Sequence, residues 1–310
     1  MPNGLRPLLR VHLLWVLALA LLQAAAWCQT SPQGLAAGLP AEADVALYAD
    51  VDGLVHCLNP EVVQSVVDKQ LGQFLQAGLP DPIHTVKHVA AAGFIRTPSA
   101  AQAVALVQGD LDPATLSVQL ADRLPGRPSP RAWNFRGLAL TSLEPSGRPA
   151  VTFGKLQDGT TIVAQAPCQE TGLLSAAIAS LADTSKGYIA QHPDALPAGA
   201  LAAFHLGNPS ALSALPKLSK IPVDNLRQVR LEVRRLDGAK LRLDISVELT
   251  SWLKAQIVRP FLGTAVAKVA ANPKLPEAAR RLVGRLAFTL EGKVLKASIE
   301  ATAEEIEQLL

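Results

Sequence analysis

Ser251-Trp252-Leu253-Lys254 is the segment of this chain that comes nearest to a reactive motif. In S-x-x-K chemistry a serine at a helix start attacks a carbonyl, and a lysine one turn later takes its proton. A helix is expected to begin near Thr250, so the setting suits that role. The companions are missing. No S-x-N, Y-x-N or K-T-G follows, and the H-x-G of His205-Leu206-Gly207 lies upstream, in the wrong order. Ser251 and Lys254 therefore read first as a helix cap and a solvated cation. A serine hydrolase built on them is the weaker alternative.

His84 and His88 are spaced to share a metal on a helix, but on a strand they would stand about 13 Å apart. The apolar run around them reads as a strand over 86–95, and no third ligand follows at recognisable spacing. No metal is expected. Asp50 and Asp52 form a possible carboxylate pair, but they fall at a strand end, where aspartate also serves turn chemistry. Cys57 and Cys168 each follow a strand and precede a helix. Outside the cytoplasm they are candidates for a disulfide, with two buried free thiols as the alternative. A bond would close a loop of order 100 residues and stabilise by up to about 4–5 kcal/mol in the chain-entropy model. Glycine-rich phosphate loops, G-x-S-x-G, H-E-x-x-H and C-x-x-C are all absent from the sequence, so no cofactor is expected.

The elements that must position these residues follow from composition and pattern. The 310 residues are 49% hydrophobic, enough for a sizeable core. Aromatics are only 4%, so that core must be built from Ala, Leu and Val, and stacking platforms for single-stranded nucleic acid are not expected. The formal net charge of +3 includes Arg6 and Arg10, and no acidic residue precedes Glu42. Without those two arginines the chain is near +1, which gives no pull towards nucleic acid or an anionic membrane.

Arg6 and Arg10 precede an apolar run over 11–22, and Ala24-Ala25-Ala26 supplies a small-residue cleavage pattern. Residues 1–26 are expected to be a signal peptide, with cleavage after Ala26 or Cys28. An uncleaved anchor would want about 20 apolar residues. A lipoprotein through Cys28 would want a small residue where Trp27 stands. Both are less favoured than a periplasmic or secreted protein with no membrane span after cleavage.

A flexible polar spacer is expected over 27–38, a first α+β unit over 39–183, a linker over 184–195 and a second unit over 196–310. Leu39-Pro40-Ala41 precedes the first strand, and Leu196-Pro197-Ala198 precedes its counterpart. The order strand, helix, hairpin, helix, strands, helix then occurs twice. Asn59-Pro60-Glu61 and Asp112-Pro113 are helix starts. Thr302 and Glu305 form a capping box. The fold class is α+β: antiparallel sheets with helices packed on one face, in a tandem duplication. The opening residues 39–52, Leu-Pro-Ala-Glu and then a strand ending in Val51-Asp52, resemble the start of uncharacterised exported bacterial proteins with an L-P-A-D-like motif. That resemblance implies an envelope or secreted location and brings no catalytic residues.

In the second unit Val229, Leu231 and Val233 alternate with charges, as do Leu241, Leu243, Ile245, Val247 and Leu249. One face of this hairpin is expected to be buried and the other solvated. A loop of Leu236-Asp237-Gly238 puts Gly238 in the left-handed position. It places Val233 opposite Leu241, Glu232 opposite Arg242 and Arg230 opposite Asp244, both charge pairs attractive.

Taken together, these residues point to an exported, non-enzymatic binding or scaffold domain with an envelope protein as partner. The alternative is a carrier for an apolar ligand in a cavity between sheet and helices. N-terminal sequencing of the protein recovered outside the cytoplasm is expected to start between Trp27 and Gln29. A chain still starting at Met1 in the membrane pellet would mean an anchored protein.

Overall fold

A computed structural model of the chain describes residues 32–58, 61, 64, 85–95, 102–122, 124, 126–146, 149–166, 172–197, 199–214, 223–236, 240–273 and 275–308. The leader and Cys28, most of the helix expected after Asn59, His84, the turn at 97–99, Cys168 and the hairpin tip at 237–239 lie outside the described residues.

Twelve strands among the described residues form one antiparallel sheet. Helix α1 (Pro32–Ala37) leads to β1 (Val45–Asp50), and α2 (Val51–Cys57) follows directly. Then come β2 (Val86–Phe94), β3 (Gln102–Gly109) and α3 (Pro113–Ala121). Four strands follow: β4 (Arg131–Phe135), β5 (Leu138–Leu143), β6 (Ala150–Lys155) and β7 (Thr161–Ala166). Helix α4 (Gly172–Ala182) and the short α5 (Tyr188–Gln191) lead into β8 (Ala200–Leu206). The chain ends with β9 (Leu226–Arg235), β10 (Lys240–Leu249), α6 (Trp252–Ala270), α7 (Glu277–Gly284), β11 (Ala287–Glu291), β12 (Val294–Thr302) and α8 (Ala303–Glu307).

The spatial order is β11-β12-β10-β9-β8-β1-β2-β3-β7-β6-β5-β4. The halves therefore share one sheet, joined by the antiparallel pair β1–β8, with Val45 opposite Leu206 and Ala49 opposite Ala202. On one side of that pair stand β2, β3, β7 and β6; on the other stand β9, β10, β12 and β11. Strands β5 and β4 extend the first side only.

Capping follows the sequence closely. Asp112 accepts from the amides of Ala114 and Thr115 at the start of α3. Thr302 and Glu305 make the reciprocal bonds of a capping box at α8. Turn glycines sit where backbone requires them. Gly292 has φ +60 and starts the two-residue turn between β11 and β12. Such a turn matches the twist of the flanking strands.

Three expectations need correction. Helices were expected on one face of the sheet, but in the first half they cover both. One layer packs α1, α4 and α5 through Leu35, Leu173, Leu174 and Tyr188 onto Tyr48, Ala90, Leu106 and Ile162. The opposite layer packs Val51 of α2 and Leu116 of α3 onto Leu47, Val89, Ala91 and Val107. The reason is in the strands: β1 to β3 are apolar on both faces, so neither face can be left to water.

The spacer and linker are also folded where described. Leu35 and Ala36 of α1 are buried in the core. Residues 184–186 form a 3-10 turn, and the segment after it carries fully buried Tyr188. The Tyr188 amide donates to the Leu39 carbonyl at 2.8 Å, and Pro40 bridges Gly187. A Cβ on Gly187 would stand 1.8 Å from the Ala37 carbonyl oxygen, so only glycine allows this approach.

The hairpin register is the third correction. Leu243, not Leu241, lies opposite Val233, and Arg234 faces Arg242 while Glu232 faces Asp244. The Leu236 amide donates to the Lys240 carbonyl, closing a loop of 237–239. Cross-strand attraction did not choose the register, because the arginines reach along their own strands. Arg234 pairs with Glu232, and Arg242 with Asp244 at 2.9 Å. Each like-charged cross-strand pair is thus neutralised from two positions away. In this register Val233 and Leu243 form a non-hydrogen-bonded pair, the closer kind. A Val233→Cys/Leu243→Cys variant is expected to form a disulfide under mild oxidation, and Val233→Cys/Leu241→Cys is not; peptide mapping by mass spectrometry distinguishes them.

Candidate functional site

The same face of the sheet changes character between its halves. One row of paired residues on the first side runs Tyr48, Ala90, Leu106 and Ile162, all buried under α1, α4 and α5. The corresponding row on the second side runs His205, Arg230, Ser246, Lys296 and Thr289. Exposure rises along it, from buried His205 to exposed Lys296 and Thr289. The apolar alternates of β9 and β10 point to the other face, where α6 and α7 lie. This leaves an open trough of about 850 Å3 over β9, β10, β12 and β11, walled by Pro193, Asp194 and Pro197.

The trough is charged but balanced. Arg230 meets Asp194 through its carboxylate at 3.8 Å and its carbonyl at 3.1 Å. Arg234 pairs with Glu232, Arg242 with Asp244, and Lys296 with Glu291. Ser246, Thr289 and Ser298 add neutral polar groups to the lining. Such a surface offers donors and acceptors in alternation and suits a polar ligand carrying both signs of charge.

On the same face, beside Arg230, a directed hydrogen-bond chain crosses three strands. The Glu248 carboxylate can only accept, so the Gln228 amide nitrogen must point to it, and the Gln228 oxygen faces His205. His205 Nε2–H therefore donates to Gln228 Oε1 at 3.0 Å, and its Nδ1 accepts from the Tyr188 hydroxyl at 2.8 Å. Glu248 is held by Lys293 at 2.7 Å and Arg227 at 3.3 Å, and the Lys293 bond leads in holding its carboxyl below the ordinary range. Burial pushes the Tyr188 hydroxyl up and His192 down. The His192 ring lies against both Tyr188 and His205, at centroid distances of 4.6 and 5.1 Å. His205 is only 1% exposed, so this chain fixes the strands rather than offering an acid or base to a substrate.

The residues singled out by sequence are placed as follows. Ser251 Oγ accepts from the Lys254 amide, and the Lys254 ammonium donates to Thr250 Oγ1 at 3.1 Å. Serine caps the helix, and the ammonium is turned to threonine. Trp252, Leu253 and Ile257 beside them are exposed. Asp50 caps α2 by accepting from the Gly53 amide at 2.9 Å, and Asp52 pairs with His56. His88 lies on β2 as expected. Its Nδ1 is 3.2 Å from the Tyr48 hydroxyl and 3.6 Å from Asp50, and burial draws its pKa down. No group of three or more metal-ligating side chains occurs among the described residues. Burial raises the Cys57 thiol, and its candidate partner Cys168 lies outside the described residues.

Sequence reasoning missed Tyr188, His192, His205, Gln228 and Glu248 as a unit. The alternating charges of β9 and β10 were visible, but were read only as a solvated face.

No protein-family model and no curated protein sequence matches the chain. Among solved structures, crystal form III of TP0453 is similar at 14% identity with a TM-score of 0.47. Crystal form I of TP0453 is similar at 15% identity with a TM-score of 0.44. Each alignment covers 91% of this chain and 98% of that one. At this level of similarity TP0453 carries no argument about the trough. No helix among the described residues is long and apolar enough to cross a membrane.

The buried histidine gives the fold a pH dependence. Burial, with the help of His192 and Arg230 and against the Gln228 bond, pushes His205 down to about 4. Between the ordinary value of about 6.5 and that value, the unfolded chain takes up a proton here that the folded chain refuses. Stability is therefore expected to fall by up to about 3 kcal/mol as pH drops through this window, and to level off below it. Urea unfolding at pH 7, 5.5 and 4 should show a flatter response in His205→Gln than in the native chain.

Proposed function

We propose that this chain is an exported, non-enzymatic binding domain and that the trough over β9–β12 is its binding surface. The observation that carries the reading is the change of polarity across one face of one sheet. The first half covers that face with helices and fills it with apolar side chains. Among the described residues the second half leaves it open and lines it with four ion pairs. Charges gathered in a concavity, rather than spread over a flat solvated face, fit a polar ligand. The leader pattern over 1–26 supports export.

We also propose that the two halves arose by tandem duplication. Tyr48 and His205 stand at the same distance from the leucines of their Leu-Pro-Ala segments, Leu39 and Leu196. Both bond to the second strand of their half, Tyr48 to His88 and His205 to Gln228. The order of strands outward from the β1–β8 pair agrees with this. On this reading one copy kept its helix-covered face as core, and the other opened it for binding.

The four ion pairs favour a polar cargo, although Leu231, Leu236 and Ile245 also reach the lining. Native mass spectrometry of the protein recovered outside the cytoplasm tests this. The native chain is expected to retain a polar or peptide adduct. A variant combining Glu232→Arg and Asp244→Arg, which leaves the trough with excess positive charge, is expected to lose at least about tenfold of it, because the like-charged surface repels a ligand that needs the carboxylates. A lipid adduct, or an adduct held equally by both proteins, would overturn the reading in favour of an apolar carrier or a site elsewhere.

A further inference from the structure

Resting on the trough as the binding surface, we propose that its partner is an extended protein segment that adds as a strand to the outer edge of β11, with basic side chains facing the trough. The edge geometry follows from the hairpin. Glu291 lies opposite Val294 across a two-residue turn, so that pair exchanges backbone hydrogen bonds. Thr289 and Ala287 alternate in phase with it and also bond to β12. The N–H and C=O of Phe288 and Leu290 therefore point away from the sheet, towards the open edge.

The molecule itself shows what fits such an edge. On the first side of the sheet β6 occupies the place that β11 holds on the second, as the last strand of the shared order. There β5 pairs antiparallel along the outer edge of β6, with Leu140 opposite Gly154 and Ser142 opposite Thr152. Nothing among the described residues fills the corresponding place beside β11. Apart from the charge of Glu291, β11 carries none of the usual protection of an exposed edge. It has no proline, no lysine and no shift of register against β12.

Side-chain alternation specifies the incoming strand. Ala287, Thr289 and Glu291 face the trough, while half-buried Phe288 and Leu290 face the other side. An added strand must place polar residues over the trough and apolar residues beside Phe288 and Leu290. Charge sets the sign. Glu291 is 61% exposed although Lys296 reaches it, and it is the acid of the trough that lies on the edge strand. A lysine or arginine opposite it completes an attractive cross-strand pair, and a glutamate there is repelled.

Fluorescence anisotropy with the exported full chain and two labelled synthetic peptides of about seven residues, one alternating lysine with valine and one glutamate with valine, tests the proposal. The lysine peptide is expected to bind about tenfold tighter than the glutamate peptide. Leu290→Pro removes an outward N–H but none of the bonds to β12, and is expected to weaken binding at least about tenfold with the melting midpoint retained. Glu291→Lys, a surface change that leaves the backbone alone, is expected to reverse the peptide preference, and it decides the matter if Leu290→Pro does not fold. Equal binding of the two peptides, or binding indifferent to Glu291→Lys, would overturn the proposal. So would concentration-dependent dimerisation abolished by Leu290→Pro, which would make a second copy the occupant. If the peptides fail while Glu232→Arg with Asp244→Arg still strips the native adduct, the edge is wrong and the trough stands.

Discussion

The ladder between β1 and β8 is the contact on which the whole arrangement depends. It joins the two halves into one sheet, and every other strand is placed by pairing outward from it. Four of its ten residues are alanines, Ala46, Ala49, Ala202 and Ala203, set among the larger Leu47, Tyr48, Phe204 and His205. Over one face the Tyr188 amide bonds to the Leu39 carbonyl, tying α5 to the segment between α1 and β1 by close approach of backbone. With aromatics at 4% of the chain, much of the core is made by such close approach of backbone and alanine rather than by bulk.

A sheet continuous across two halves must change environment somewhere, and the change falls between β8 and β9. His205 marks it. On the core side it meets Tyr188 and His192; on the trough side it reaches Gln228 and, through it, Glu248 with its two cations. The chain of bonds runs from a buried hydroxyl to a carboxylate near solvent with each donor matched to an acceptor. A buried polar network is tolerable only when complete, because each unmatched group would bear its full desolvation penalty. The network therefore fixes the strands at the boundary where apolar packing runs out.

Much of the frame was legible in the sequence. Apolar runs gave the strands, β8 after Leu196-Pro197-Ala198 among them, and Asp112 and Thr302 gave helix starts. What was not legible has physical causes. The stretch over 184–195 is polar in composition, yet its place in the core rests on Tyr188, Ala195 and a glycine that lets backbones meet. A polar average hides such isolated anchors. The hairpin register was misread because charges were paired across strands by position alone. Glu232 and Asp244 each had an arginine two residues away on their own strand, and a guanidinium is long enough to use it. Once neutralised locally, the charges place little constraint on register.

That local neutralisation also bears on how the trough can bind. A face of unpaired cations would attract any anion, with an affinity that fell steeply with salt. Here each arginine or lysine already has its carboxylate, so the long-range field is small and no single ion is drawn in. A ligand gains where a pair is most open, at Glu291 on the edge strand, where a basic side chain at the strand spacing can share the carboxylate with Lys296. Selectivity would then lie in where a ligand places its charge rather than in a long-range field. The near-neutral balance of the whole chain acts in the same direction, since it adds no steering that would hide this discrimination.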